Sequence, residues 1–223
     1  QRTLDEEEST LKVQLLESAP VVLSQLSSEA EEAKEILRGE SFYDIDKLEW
    51  ATNILHQTMA RLSLGYYPAQ ICFPPIETDL AYKPFMSSEI LEALDDDQIN
   101  VYRDVYRQLI APVMKKEKPR MIGISIVQQK QIIPTFTFSK MIKEEFPDVH
   151  ITIGGNIVTR IRDELKTQDK LFGYIDSAVL YEGENAYLQL VDAVENSKPL
   201  SRLPNLIYRD ESGIHANKDV CSE

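Results

Sequence analysis

Three short groups of residues in this chain carry side chains of the kind that ligand chemistry needs. The first is Ser125, near the end of the apolar run Met121-Ile122-Gly123-Ile124-Ser125-Ile126. The second is Gly154-Gly155-Asn156, which follows Val149-His150-Ile151-Thr152-Ile153, and the third is Tyr181-Glu182-Gly183-Glu184. Each closes a run of strand type, and in an open parallel sheet the loops at the carboxyl ends of the strands are where ligands bind. A hydroxyl, a pair of residues without side chains and an acidic turn on one rim suit a ligand that is flat or carries phosphate.

Every one of these groups also has a reading without a ligand. The Gly pair marks either a turn that needs positive φ or a close backbone approach to a bound group. Ser125 either meets a ligand or caps its own loop. Glu184, at the start of a helix, is favoured there by the helix dipole alone. Consecutive side chains diverge, so Asp95-Asp96-Asp97 reads as a solvated loop rather than a divalent-cation site. His56 falls within a helix whose apolar stripe is core material, and Cys72 reads as a small buried hydrophobe. Two cysteines, Cys72 and Cys221, are too few for a disulfide framework or a cluster. No residue is assigned a catalytic or metal-ligating role.

The elements that must position these groups follow from periodicity. Strands at Met121–Ile126, Val149–Ile153, Ser177–Tyr181 and Leu206–Arg209 alternate with helices at Ile133–Glu145, Ile157–Leu165 and Asn185–Glu195. This βαβ alternation implies a parallel sheet. The turn signal Asp210-Glu211-Ser212-Gly213 folds Ile214-His215-Ala216 back as an antiparallel edge. Upstream, Ser28 precedes a helix ending near Gly39, and Asp44 to Leu64 carries Ile45, Leu48, Ala51, Ile54, Leu55, Met59 and Leu62 on one stripe. Gln70 to Phe73 is a candidate strand, Ser87 or Ser88 caps a short helix, and Asn100 to Lys116 is a helix that Pro112 kinks. Gln1 to Thr10 is expected to fray, and the pattern of Leu11 to Leu26 does not decide between helix and extended chain. The expected fold is an open, mostly parallel Rossmann/flavodoxin-like sheet flanked by helices, with an amino-terminal helical extension. The boundary falls at the Lys116-Glu117-Lys118 connector, giving a helical part at 1–117 and the sheet domain at 118–223.

Composition narrows the partners. The chain has 223 residues, 43% of them hydrophobic, enough for one sizeable core. Its formal charge of −13 argues against a nucleic-acid partner, which needs clustered Lys and Arg. No apolar run is long enough to span a bilayer and no signal-peptide pattern is present, so a cytoplasmic protein without a membrane partner is expected.

The run Pro119 to Ile126, the helix start Gln131-Ile132-Ile133-Pro134, Ile153-Gly154-Gly155-Asn156, Tyr181-Glu182-Gly183-Glu184 and Pro204-Asn205-Leu206-Ile207-Tyr208-Arg209 occur in one order and spacing. In this the chain resembles the amino-terminal cobalamin-binding-type domains of radical SAM enzymes, over Lys118 to Asn217. Residues from about Tyr43 to Val113 are similar to an insert found in a subgroup associated with modified peptides and natural products. The resemblance implies a Rossmann-like domain that holds cobalamin beside a downstream barrel of the same polypeptide, where a 4Fe-4S cluster and S-adenosylmethionine bind. It also implies a peptide or natural-product substrate for the parent enzyme. Ser125, Val127 and Gln128 match the serine-type loop, Gly154, Gly155 and Asn156 the Gly-Gly turn, and Tyr181, Glu182, Gly183 and Glu184 the acidic Gly motif. On this reading a branched side chain at Gly155 expels the cofactor and leaves the fold largely intact.

Two features depart from the pattern. No Asp-x-His-x-x-Gly occurs, so the histidine that ligates cobalt in many such domains is absent, and so is the three-cysteine cluster motif. The missing cluster motif and the end at Glu223 fit a piece of a longer enzyme, itself inactive. A cobalamin-free docking or substrate-recognition domain on the same rim is the alternative. A flavodoxin-like signalling receiver would need an acidic cluster and a Lys at strand ends, and that constellation is missing.

Overall fold

A computed structural model describes residues 28–72 and 77–220. Expectations for Gln1 to Thr10, for Leu11 to Leu26 and for Cys221 lie outside the described residues. The chain divides between Ala81 and Tyr82 into two compact units.

In the first unit, residues 28–38 form helix α1 and Ile45–Gly65 form α2. Asp44 starts α2, its side chain accepting from the backbone N–H groups of Asp46 and Lys47. This is the capping chemistry that satisfies first-turn donors. Ala33, Ala51 and Leu55 form the buried centre of the α1/α2 contact, with Ile36, Leu37 and Ile54 packed around it. The apolar stripe of α2 is only partly core: Ile45 is 75% exposed and Leu62 42%. His56 is exposed. Strand β1 (Gln70–Cys72) pairs antiparallel with β2 (Glu77–Asp79), and Ile71 N–H donates to Ser63 Oγ at 2.7 Å. Cys72 is exposed, which corrects the expectation of burial, because its three-residue strand belongs to a two-stranded sheet too small to enclose it.

The second unit begins with α3 (Ser87–Asp95), whose amino cap is Met86, without a capping serine side chain. Next come α4 (Val101–Val105), a π-helical turn (Tyr106–Ile110) and α5 (Ala111–Glu117). The expected irregularity at Pro112 takes the form of that π turn. A ring that cannot donate to the preceding turn removes one α-type bond, and the chain widens just before it. These helices pack on α6 (Ile132–Glu145) through Asn100, whose Nδ2 donates to Ala93 O at 2.7 Å and Thr137 Oγ1 at 2.9 Å. Tyr106 adds a bond to Met141 O. Nine residues of α6 are buried, and they surround the helix rather than forming a single stripe, as expected for one packed between layers. Thus α3 to α5 belong structurally with the sheet.

The sheet has the order β3 (Met121–Ser125), β4 (His150–Gly154), β5 (Ser177–Val179), β6 (Leu206–Asp210), β7 (Gly213–Ala216). The first three run parallel. β6 enters antiparallel to β5, where simple alternation implied a fourth parallel strand. Helix α9 (Gly183–Glu195) leads away from the carboxyl rim, and the ten residues after it are long enough, at about 3.3 Å each, to return there before β6 starts. The β6/β7 hairpin forms as its turn signal predicts. By alternation Ile151, Ile153, Ala178 and Ile207 share one fully buried face. α9 covers the other through Ala186, Leu190 and Ala193 against Val179, Leu206 and Tyr208. Among the described residues no helix is long and apolar enough to cross a membrane.

Candidate functional site

Parallel pairing of β3, β4 and β5 brings the three residue groups to one rim. Ser125 stands directly beside Gly154 in the ladder, and Ile153 beside Ala178 places the end of β5 next to both. β6 joins the same rim by its amino end, through Leu206 opposite Val179.

Ser125 is exposed, and among the described residues its hydroxyl is engaged by nothing. The loop after it is closed on itself. Gln131 Oε1 accepts the N–H groups of Val127 at 2.8 Å and Gln128 at 3.0 Å, and the Gln128 side chain accepts from Gln131 N in return. This reciprocal cap, seen usually with Ser or Thr at the first position, leaves the Val127 and Gln128 side chains exposed while consuming their amides.

The two glycines differ. A Cβ on Gly154 would meet Val179 O at 3.5 Å, an ordinary contact. Gly155 has φ +100°, and a Cβ there would lie 2.5 Å from Ile126 O and 3.0 Å from Ile126 N. Ile126 is itself fixed, its N–H donating to Gly154 O at 2.7 Å and its carbonyl accepting from Ile157 N at 3.3 Å. The close approach that requires Gly155 is therefore to the chain's own backbone. This corrects the expectation that a branched residue at Gly155 would spare the fold. Asn156 is exposed and opens α7 (Asn156–Arg160), which is followed by α8 (Arg162–Leu165).

At the third strand end, Tyr181 has φ +59° and is held on both sides. Its N–H donates to Thr159 Oγ1 and its hydroxyl to Asp219 Oδ2, both at 2.8 Å, while the Arg162 guanidinium carbon lies 6.0 Å from its ring centroid. Glu182 is the amino cap of α9, Gly183 its first residue and Glu184 lies in its first turn, with both carboxylates exposed. The helix therefore starts two residues earlier than its periodicity predicts. Thr159 and Asp219 were not singled out by the sequence, and Asn205 stood there only within the run Pro204 to Arg209, with no role. Asn205, buried at φ +57°, clamps the tail by donating to Val220 O at 2.9 Å and accepting from Val220 N at 2.7 Å. No local pattern ties Tyr181 to Asp219.

The other polar clusters lie elsewhere. Asp95, Asp96 and Asp97 go to separate partners: Lys140 for the first, the Tyr82 hydroxyl and turn amides for the second, Arg103 and Arg107 for the third. Among the described residues no group of His, Cys, Asp and Glu is placed to hold a metal. His150, at the amino end of β4, meets Ser177 Oγ at 2.8 Å, and burial pushes its pKa below the ordinary value. It lines a cavity of about 580 Å³ with Arg120, Asp148 and Lys198, at the rim opposite the candidate site. In the last hairpin, Asp210 Oδ1 accepts from Ser212 and meets His215 Nε2 at 2.8 Å. The Ser212 hydroxyl first, then His215, brings its carboxyl down to about 2.

The fold and rim define a class: an open α/β sheet of Rossmann-like type with the three residue groups at the ends of its parallel strands. No family model matches the sequence, and no curated protein matches it. Solved structures with a similar backbone include the radical S-adenosylmethionine methyltransferase TsrM from Kitasatospora setae. In its form with tryptophan substrate and aza-SAM bound, the likeness has a TM-score of 0.41 at 18% identity, covering 66% of this chain and 28% of that one. In its form with cobalamin and a [4Fe-4S] cluster, the values are 0.42, 17%, 67% and 28%. The chain thus spans little more than a quarter of the length of either.

Proposed function

We propose that this chain is the cobalamin-binding domain of a cobalamin-dependent radical SAM enzyme, with the cofactor held at the carboxyl ends of β3, β4 and β5. The observation that carries this reading is Ser125 beside Gly154 in the ladder, an exposed hydroxyl that no described residue engages next to a residue without a side chain, on the rim where open sheets take ligands. Those two residues fit the group. Gly155 holds the turn that shapes their surroundings, and the Tyr181 to Glu184 segment borders them from the next strand. When bound, cobalamin supplies a cobalt that carries a methyl group or tunes radical chemistry. This chain's part is to hold the cofactor and present it to a neighbouring iron–sulfur and S-adenosylmethionine barrel.

The test is gel filtration of the chain after incubation with hydroxocobalamin. Co-elution of cobalt absorbance with protein is expected, weakened by Ser125→Ala on the order of one hydrogen bond, about 0.5–1.5 kcal/mol. Passage of all the cofactor in the small-molecule volume overturns the reading. A second reading, a cobalamin-free docking domain, is favoured by the internal bonds at the rim. Gly155 is explained by Ile126, and Tyr181 is secured by Thr159 and Asp219 without any ligand. Retention of the next domain by a chain that retains no cobalamin would select it.

A further inference from the structure

We infer that the cavity at the amino ends of β3 and β4 is a binding site for a free amino acid with an apolar side chain, its carboxylate held by Arg120 and its ammonium group by Asp148. The cavity has a volume of about 580 Å³ and is built entirely within the second unit. That size falls inside the roughly 300–1,000 Å³ of small-molecule sites, which combine apolar walls with a few placed polar groups. Arg120 precedes β3 and Asp148 precedes β4, and the ladder fixes the two strand starts side by side, with Arg120 O accepting from His150 N at 3.0 Å. The end of α9 and the segment after it add Ala193, Val194 and Leu200, which with Val149 make the apolar wall.

The charges of the cavity decide its ligand. Lys198 is compensated by Asp192. His150, bonded to Ser177 Oγ, carries no charge at neutral pH, because burial lowers its pKa while Asp176 and Lys143 act on it in opposite directions. What remains is one cation and one anion. Arg120 and Asp148 are exposed, and among the described residues neither forms an ion pair or a side-chain hydrogen bond, with the other or with any third group. Elsewhere in the unit, exposed carboxylates are matched: Asp97 by Arg103 and Arg107, Asp95 by Lys140, Asp163 by Lys166. A guanidinium is a planar fork that takes a carboxylate in two parallel bonds, and a carboxylate takes an ammonium group as readily. The molecule that carries one of each beside an apolar group is an amino acid. A terminal residue of a peptide has only one of the two charges, and a simple anion leaves Asp148 unmatched. This inference stands independently of the cofactor reading, which concerns the opposite rim.

The experiment follows the ring resonances of His150 by NMR as the full chain is titrated with leucine at neutral pH. A saturable shift is expected. The analogue without the ammonium group, 4-methylpentanoate, and the one without the carboxylate, 3-methylbutylamine, should each bind at least about tenfold more weakly. Arg120→Gln and Asp148→Asn change exposed side chains and should keep the urea midpoint near the parent's. Each should weaken leucine by a similar factor, whereas Ser125→Ala, on the other rim, should not. Absence of a saturable shift with leucine overturns the proposal. Equal binding of 4-methylpentanoate makes the cavity a plain anion site and overturns it too, as does leucine binding that both substitutions leave intact.

Discussion

Gly154 and Gly155 are adjacent in sequence yet are glycine for different reasons, and substitution separates them. Gly155→Ala forces a Cβ to 2.5 Å from a backbone oxygen at a φ of +100°, so a loss of roughly 2–4 kcal/mol is expected in urea unfolding. Gly154→Ala meets only an ordinary contact and is expected to cost about 1 kcal/mol or less. It is therefore the substitution that reports on a ligand, while Gly155 reports on the fold. His150 offers a second residue-level expectation. Burial, with Lys143 nearby, lowers its pKa from 6.5 against an opposing effect of Asp176. The unfolded chain then binds the proton more readily, so the contribution of neutral His150 is complete above pH 6.5 and declines as pH falls through the folded value. A His150→Gln chain, with nothing to protonate there, should lose less stability than the parent over the same fall in pH, measured by urea midpoints.

At the scale of elements, the rim is secured by connections after β5 rather than by the strands alone. Asn205 combines a left-handed backbone with two bonds to Val220, and Leu180 N–H donates to its carbonyl at 2.8 Å. Asn205→Ala leaves both Val220 groups without their partner and is expected to cost about 1–3 kcal/mol. Exchange at the Val220 amide should rise by more than the global loss of stability explains. The direction of β6 depends on the same region. A helix followed by a strand reads as a parallel crossover when only the order of elements is known. A connection long enough to return to the starting rim gives an antiparallel strand instead.

For the whole molecule, strand polarity places two of the histidines, His150 and His215, away from the candidate site. His150 enters β4 at the opposite end, His215 is bound to Asp210 and Ser212 in the last hairpin, and His56 lies on α2 in the other unit. If cobalamin is retained, replacing each by Ala should leave its visible spectrum unchanged. A shift with any one of them places the cobalt elsewhere. Reconstitution of the chain with iron and sulfide should yield no cluster absorbance, since the cysteines are two and lie 149 positions apart.

The strands, the Gly-Gly turn and the final hairpin were legible in the sequence because each is set by neighbours a few residues away: apolar runs, side-chain alternation and turn chemistry. The rim was legible too, since parallel strands bring their ends together whatever lies between them. Tertiary structure decided what local pattern does not encode. It set the reversal of β6, the grouping of α3 to α5 with α6 through Asn100 and Thr137, and the exposure of Cys72 and Ile45. It also supplied a reason for glycine at 155, because the group that approaches it, the Ile126 backbone, lies 29 positions earlier in the chain and only the pairing of β3 with β4 brings it there.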